Sequence, residues 1–284
     1  MNRLSRRSFW AVLILLTMPA LHAQIDYTDF ITSGELNSYY KVAVRELRAV
    51  PFVHTREADI KYTKRVIRCI DARQKMNKPV NWPKSALNAH LYNALWEGSI
   101  TPYKTDSLMS FYSRSEYRSR LTSEVNIWVP TDDEDPTYGK DSIIQIVQEA
   151  HNIQKFFVME EWNFDFKHGV FKPRILAIAP IYQRDIGIGL SPEQPLCWIK
   201  MDEATRHVMS NWEFFNRYND AARLNFDDFF QLRLFDSYIV FESNVFDQYI
   251  NEFQEYENDN VAAILKSDEI KNDLFIFEHD LWQF

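Results

Sequence analysis

Glu160 and Glu161, followed by Trp162, come closest to a recognisable catalytic chemistry, because glycosidases work with two carboxylates that flank a sugar. Neighbouring residues on a strand point to opposite faces, so these two cannot act as an acid and base pair, and a second, separate carboxylate would be needed. Glu203 and His207 stand four apart on an expected helix and could face one metal. Two ligands do not make a site, however, and a surface ion pair is the expected role. Glu278-His279-Asp280 sets three titratable groups in a row, but successive helix positions diverge by about 100°, so they cannot converge on one atom; a structural pair at a packed C-terminus is expected. Thr131-Asp132-Asp133-Glu134-Asp135-Pro136 lacks the alternating oxygens, glycine and distal glutamate of a calcium loop. No Gly-x-Ser-x-Gly elbow, Ser-x-x-Lys pair or His-Glu-x-x-His pattern occurs. No cofactor and no metal is expected. Glu160→Gln and Glu161→Gln should each leave function intact unless folding suffers. The aromatics Trp162, Phe164, Trp212 and Trp282 lie in polar surroundings and are the candidate partner-interface residues.

The elements around these residues predict an α+β fold, a single globular domain with a small antiparallel sheet flanked by N- and C-terminal helices. Residues 24–54 form an N-terminal arm and 55–284 the globular domain. Thr55 caps a predicted helix with Glu57 and Asp59 in its first turn, running through Ile60, Val66, Cys69 and Ile70 to stop before Asn77-Lys78-Pro79. Ser85 opens a second helix carrying Leu87, Leu91, Leu95 and Trp96 and ending at Gly98. Residues 112–141 are expected to be a flexible acidic loop. From Gln154 the pattern alternates: Phe156, Val158, Glu160, Trp162 and Phe164 share one face, Lys167-His168-Gly169 turns, and Val170 to Ile181 returns. Pro195 to Lys200 adds a further extended piece. Asn225 caps a helix, with Asp228 in reciprocal position, whose apolar face runs from Phe226 to Phe241; Ile239-Val240 leave a strand open for its second half. Ser267 caps the last helix, whose Ile270, Leu274, Phe277 and Leu281 must be buried.

At the N-terminus, Arg3, Arg6 and Arg7 precede an apolar core from Phe9 to Met18 and a small-residue exit at Ala23, so residues 1–23 read as a signal peptide cut before Gln24. Ser5-Arg6-Arg7-Ser8-Phe9 leaves twin-arginine export open beside the ordinary route. No cysteine follows the cut to carry a lipid. Removing that segment takes away three arginines and no acid, leaving 29 basic against 40 acidic side chains, a surface that repels nucleic acid. Hydrophobic residues make up 46% of the chain, enough for a sizeable core, whereas six glycines disfavour phosphate loops and turn-dense sandwiches. Cys69 and Cys197 could form a disulfide in an oxidising compartment or serve as buried hydrophobes.

Several spaced motifs resemble one family. They are Arg56-Glu57-Ala58-Asp59 with Lys64-Arg65-Val66, Ile70-Asp71-x-Arg73-x-Lys75-Met76-Asn77, Glu160-Glu161-Trp162-x-Phe164-Asp165, Arg174-Ile175-x-Ala177-Ile178-Ala179-Pro180 and Pro195-Leu196-x-Trp198. Phe215-Asn216-Arg217-x-Asn219-Asp220-Ala221, Leu224-x-Phe226-Asp227-Asp228, Ser237-Tyr238-Ile239, Glu242-Ser243-Asn244-Val245 and Glu278-His279-Asp280-Leu281-Trp282 continue the series. In that order they are similar to the GldN/PorN family of the type IX secretion and gliding apparatus. The resemblance implies a non-enzymatic periplasmic subunit at the inner face of the outer membrane, a homo-oligomer in a ring. Its implied partners are a GldK/PorK-like lipoprotein and a GldM/PorM-like motor domain. A second reading is a periplasmic carbohydrate-active enzyme or sugar-binding module using Trp162 with Glu160 or Glu161.

Overall fold

The computed structural model describes residues 48–130, 139–147, 149–183, 193–219, 221–257 and 259–281. The expected signal peptide, most of the arm, the acidic run from Thr131 to Pro136 and Trp282 lie outside the described residues. In chain order the elements are β1 (Ile60–Asp71), α1 (Leu87–Glu97), β2 (Pro102–Tyr103), α2 (Arg114–Leu121), β3 (Thr122–Pro130) and β4 (Gly139–Val147). They continue with β5 (Lys155–Asp165), β6 (Val170–Tyr182), β7 (Gln194–Pro195), β8 (Trp198–Lys200) and α3 (Glu203–Ser210). The last are β9 (Glu213–Phe214), β10 (Leu224–Asn225), α4 (Phe226–Gln231), β11 (Tyr238–Glu242) and α5 (Asn260–Asp280). The fold is α+β. Its main sheet is antiparallel in the order β11-β1-β5-β6-β8-β2, with β7 also on β6.

The expected β5–β6 hairpin forms, and Gly169 takes a φ of 62° in its turn, a conformation that costs glycine little. The segment expected to be the first helix is instead the long strand β1. Its Val66 to Ile70 are buried on both faces, so period 2 disappears from the sequence and the leftover apolar positions imitate a helical stripe. The β-branched Ile60, Thr63, Val66, Ile67 and Ile70 then favour the pleated state. α1 ends as expected at Gly98, with φ 83°, although Ser85 does not cap it; the N-cap is Ala86, and the Ser85 hydroxyl donates to the Glu213 carbonyl.

Over the described residues of the expected loop at 112–141, a helix and a strand pair stand in its place. Ser113 and Glu116 close a reciprocal capping box that starts α2, and β3 pairs with β4 as a separate hairpin, from Thr122 opposite Val147 to Pro130 opposite Gly139.

α4 starts at its capping box of Asn225 and Asp228 but stops at Gln231, short of the expected Phe241. The stop is a Schellman arrangement: Arg233 sits at φ 54°, its N–H donates to Phe230 O, and Leu234 N–H donates to Phe229 O. The chain then re-enters the sheet as β11, the strand left open for Ile239 and Val240. α5 is longer than expected and is capped by Asp259, whose carboxylate accepts from Val261 N and Ala262 N. Ser267 therefore lies inside the helix. Its hydroxyl accepts the edge N–H of Ile239 at 2.6 Å, so α5 shields the open side of β11.

Two apolar clusters share one face of the sheet. Toward one end Ile70, Phe156, Val158 and Ile178 pack with Leu87, Leu91, Phe226, Phe229 and Phe230 of α1 and α4. Toward the other, Val66, Phe171 and Ile239 pack with Ile270, Leu274, Phe277 and Leu281 of α5, so the α5 stripe is buried in this subunit's own core. The opposite face carries a smaller cluster of Ile67, Met159, Ala177, Ala179, Trp198 and Phe241. Cys69 and Cys197 are both free and buried, Cys69 on β1. Burial pushes the Cys69 thiol up to about 11 and raises that of Cys197 as well, so both remain protonated, poorly nucleophilic thiols at neutral pH.

Candidate functional site

Between the two clusters on the same face lies a buried ionic seam. Val66 on β1 stands opposite Glu160 on β5, and the alternation that makes Phe156 and Val158 core residues also points Glu160 inward. Its side chain is 0% exposed. Arg68 Nε donates to Oε2 at 2.9 Å, Arg233 Nη1 to Oε1 at 2.7 Å, and Trp162 Nε1 to Oε2 at 3.3 Å. Both guanidinium groups lie near the Trp162 ring, at 5.8 and 5.7 Å from its centroid. Burial lowers the Arg68 pKa, and the neighbouring Glu160 carboxylate opposes that shift. Arg233 occupies the helix-ending position where glycine is usual, and its left-handed backbone is what carries its side chain back onto Glu160.

Glu161 points to the opposite face, as expected, and meets Arg65 at 3.5 Å. Glu160, in contrast, has its acceptor capacity committed to three side chains, Arg68, Arg233 and Trp162, and the two carboxylates point to opposite faces of the sheet. Glu203 is exposed on α3 and His207 half-buried, the expected ion pair between them is not formed, and the buried side of that helix carries Thr205, Arg206 and Met209. His279 and Asp280 approach to 3.8 Å at the end of α5. Among the described residues no group of three or more His, Cys, Asp or Glu is placed to hold a metal ion, and no helix is long and apolar enough to cross a membrane.

Trp162 and Phe164 are half-buried against the α5 cluster, with Trp162 5.2 Å from Phe171. Trp212 is half-buried on the first cluster and stacks on His90 at 5.0 Å, while His90 Nε2 shares a 2.9 Å hydrogen bond with Ser85. Burial depresses the His90 pKa, so the folded state favours the neutral ring. Stability contributed by this group is present above the unfolded value of about 6.5 and is lost as pH falls toward the lower folded value. We expect thermal stability to decline as pH drops below about 6.5, and His90→Gln to flatten that part of the profile. An unchanged slope in melts of the variant would remove His90 as the cause.

A second buried pair fastens the end of the arm. Arg206 on α3 grips Asp227 on α4 through Nε at 2.8 Å and Nη2 at 3.0 Å, and its Nη1 donates to Val50 O. Phe52 then packs between Arg206 and Arg174, at 4.1 and 4.3 Å.

The surface also brings together motifs far apart in sequence. Arg217 donates to Lys75 O and approaches the Met76 sulfur at 3.7 Å, so Lys75-Met76-Asn77 and Phe215-Asn216-Arg217 form one patch. Phe215 packs on Trp82 at 5.4 Å, and Lys84 lies 5.7 Å over that ring. Tyr218, 87% exposed, projects from the patch. Sequence reading could not find it, because neither half is amphipathic in any regular period; the spacing between the halves is set by the fold.

No curated protein matches the chain. A family profile described as gliding motility associated protein GldN matches residues 55–283 of the 284. The matched region covers about four-fifths of the chain, including β1, the buried seam and the patch around Arg217, and on that match this chain belongs to the GldN family of gliding motility associated proteins.

Proposed function

We propose that this chain is a non-enzymatic structural subunit of the type IX secretion and gliding machinery, acting in the periplasm at the inner face of the outer membrane. In this reading many copies assemble into a ring with a GldK/PorK-like lipoprotein that supplies the membrane anchor, and the ring engages a GldM/PorM-like motor domain. Family membership over residues 55–283 carries the reading. The placement of the carboxylates supports it, because Glu160 is sealed between Arg68 and Arg233 and points away from Glu161. Those are the residues on which the carbohydrate-active alternative depended.

Solubilising outer membranes and capturing this protein tests the proposal. The lipoprotein should co-purify, and deleting it should release this chain from the membrane fraction. Retention in membranes without the lipoprotein, or incorporation of labelled fatty acid into this chain, would overturn the proposed mode of attachment.

A further inference from the structure

Charge is divided unevenly along this chain. Residues 242–281 hold eleven acidic side chains and two lysines, while the formal net charge of the whole chain is −8, so the remainder is close to neutral. The acidic segment surrounds a hollow of about 480 Å³ between the loop after β11 and the side of α5. Glu242, Gln248, Glu255, Tyr256 and Lys266 wall it over Ile250 and Ile270; Glu242 is paired with Lys64 at 3.1 Å and Lys266 with Glu269 at 3.0 Å, so Glu255 carries the negative charge of the wall that these pairs leave uncompensated. The loop is braced: Asn244 Nδ2 donates to Glu242 O at 2.8 Å and to Gln248 O at 2.9 Å, while its Oδ1 accepts from Phe246 N at 3.0 Å. That bracing holds Val245, 96% exposed, and Phe246 out in solvent at the rim. Unlike a flexible tip, a rim fixed in this way presents its apolar side chains without a large ordering cost on binding.

The patch around Arg217 is the opposite in character. Lys75, Lys78, Lys84, Arg217 and Arg223 are exposed there, with Glu213 beside them, and Tyr218 is the projecting aromatic. The two surfaces lie at the two ends of β11. Asp236, just before that strand, donates its N–H to Asn77 in the patch segment, and Glu242, at its other end, leads into the acidic loop.

We infer that the basic patch of one copy docks on the acidic hollow of the next, with Tyr218 entering the hollow between the loop and α5. A second copy is the occupant favoured by charge complementarity, since each molecule carries both halves of the contact. The phenol ring suits the Ile250 and Ile270 floor, its hydroxyl suits Gln248 and Glu255, and the flanking Arg217 and Arg223 face the acidic rim. Because the two surfaces differ, the contact is head-to-tail, the class that generates rings when the rotation closes and filaments when it does not. This inference rests on the ring-subunit reading and assigns it the surfaces between copies.

Sedimentation of the full protein and of complexes drawn from membranes tests it. Tyr218→Ala, and separately Lys75→Glu with Lys78→Glu, should leave the melting temperature unchanged, since these side chains are exposed, and should weaken self-association by roughly a hundredfold or more. Glu255→Lys with Glu257→Lys should do the same, and mixing the two charge-reversed proteins should restore assembly, because each then offers the other a complementary surface. Association of the natural chain should also weaken as salt rises. Full assembly by every variant, reversed pairs that fail to rescue one another, or a natural chain that stays monomeric at all concentrations would each overturn the inference. Continued co-purification of the variants with the lipoprotein would show that the failure concerns this contact and leaves the ring-subunit reading standing.

Discussion

Glu160→Gln is expected to lower stability by about 3–5 kcal/mol, a large part of what a domain of this kind has. The substitution keeps the shape of the side chain but removes the negative charge between Arg68 and Arg233. The Arg68 side chain is only 6% exposed, so water cannot replace the lost partner, while Arg233 is 31% exposed and recovers part of its solvation. Two cations then face each other across an apolar setting, and the seam between the two core clusters opens. Glu161→Gln removes a partner from Arg65, which is about half exposed, and should cost under about 1 kcal/mol. Thermal or denaturant melts of the two variants make the comparison. Equal melting temperatures would mean that the seam contributes nothing. If the proposed role in secretion holds, secretion should follow stability, and a stable Glu160→Gln protein that assembles but does not support secretion would point back to chemistry at Glu160.

Phe277→Ala should lower the melting temperature of the isolated protein. The ring lies 4.3 Å from that of Tyr62 on β1 and 5.3 Å from that of Phe171 on β6, with Ile270 and Leu274 of the same stripe buried above it. Full burial of a phenylalanine would set the cost at about 3–5 kcal/mol; with the ring partly exposed, about 2–3 kcal/mol is expected. For a domain of this size that is roughly 5–10 °C. Because the stripe is intramolecular, binding to the proposed lipoprotein partner should weaken only as far as folding does. A monomer that melts normally but no longer assembles would show that Phe277 serves a neighbour instead.

Some features were legible in the residues alone because they depend on contacts within a few positions. The β5–β6 hairpin follows from alternation and a Lys-His-Gly turn, the start of α4 from Asn225 and Asp228, and the end of α1 from Gly98; each is decided by local backbone sterics and hydrogen bonds. The Ser113 and Glu116 capping box is equally local, and its signature stands in the sequence inside a polar stretch. The motif series from Arg56 to Trp282 was sufficient to indicate the family.

Tertiary structure decided the rest. β1 has the sequence pattern of a helix because a strand buried on both faces loses its alternation, and only its pairing with β5 and β11 makes the extended state favourable. Ser267 has the residue type of a helix cap, yet an unpaired N–H at the sheet edge gave it a different task. Glu160 shows the same division of information. Alternation predicted which face it takes, but its partners come from positions 68 and 233, and only the antiparallel register and the left-handed turn at Arg233 bring them within 3 Å. The chemistry of a side chain is written in the sequence, whereas its burial and its long-range partners are properties of the packed sheet, because the free energy that fixes them is gained only when distant segments close on one another.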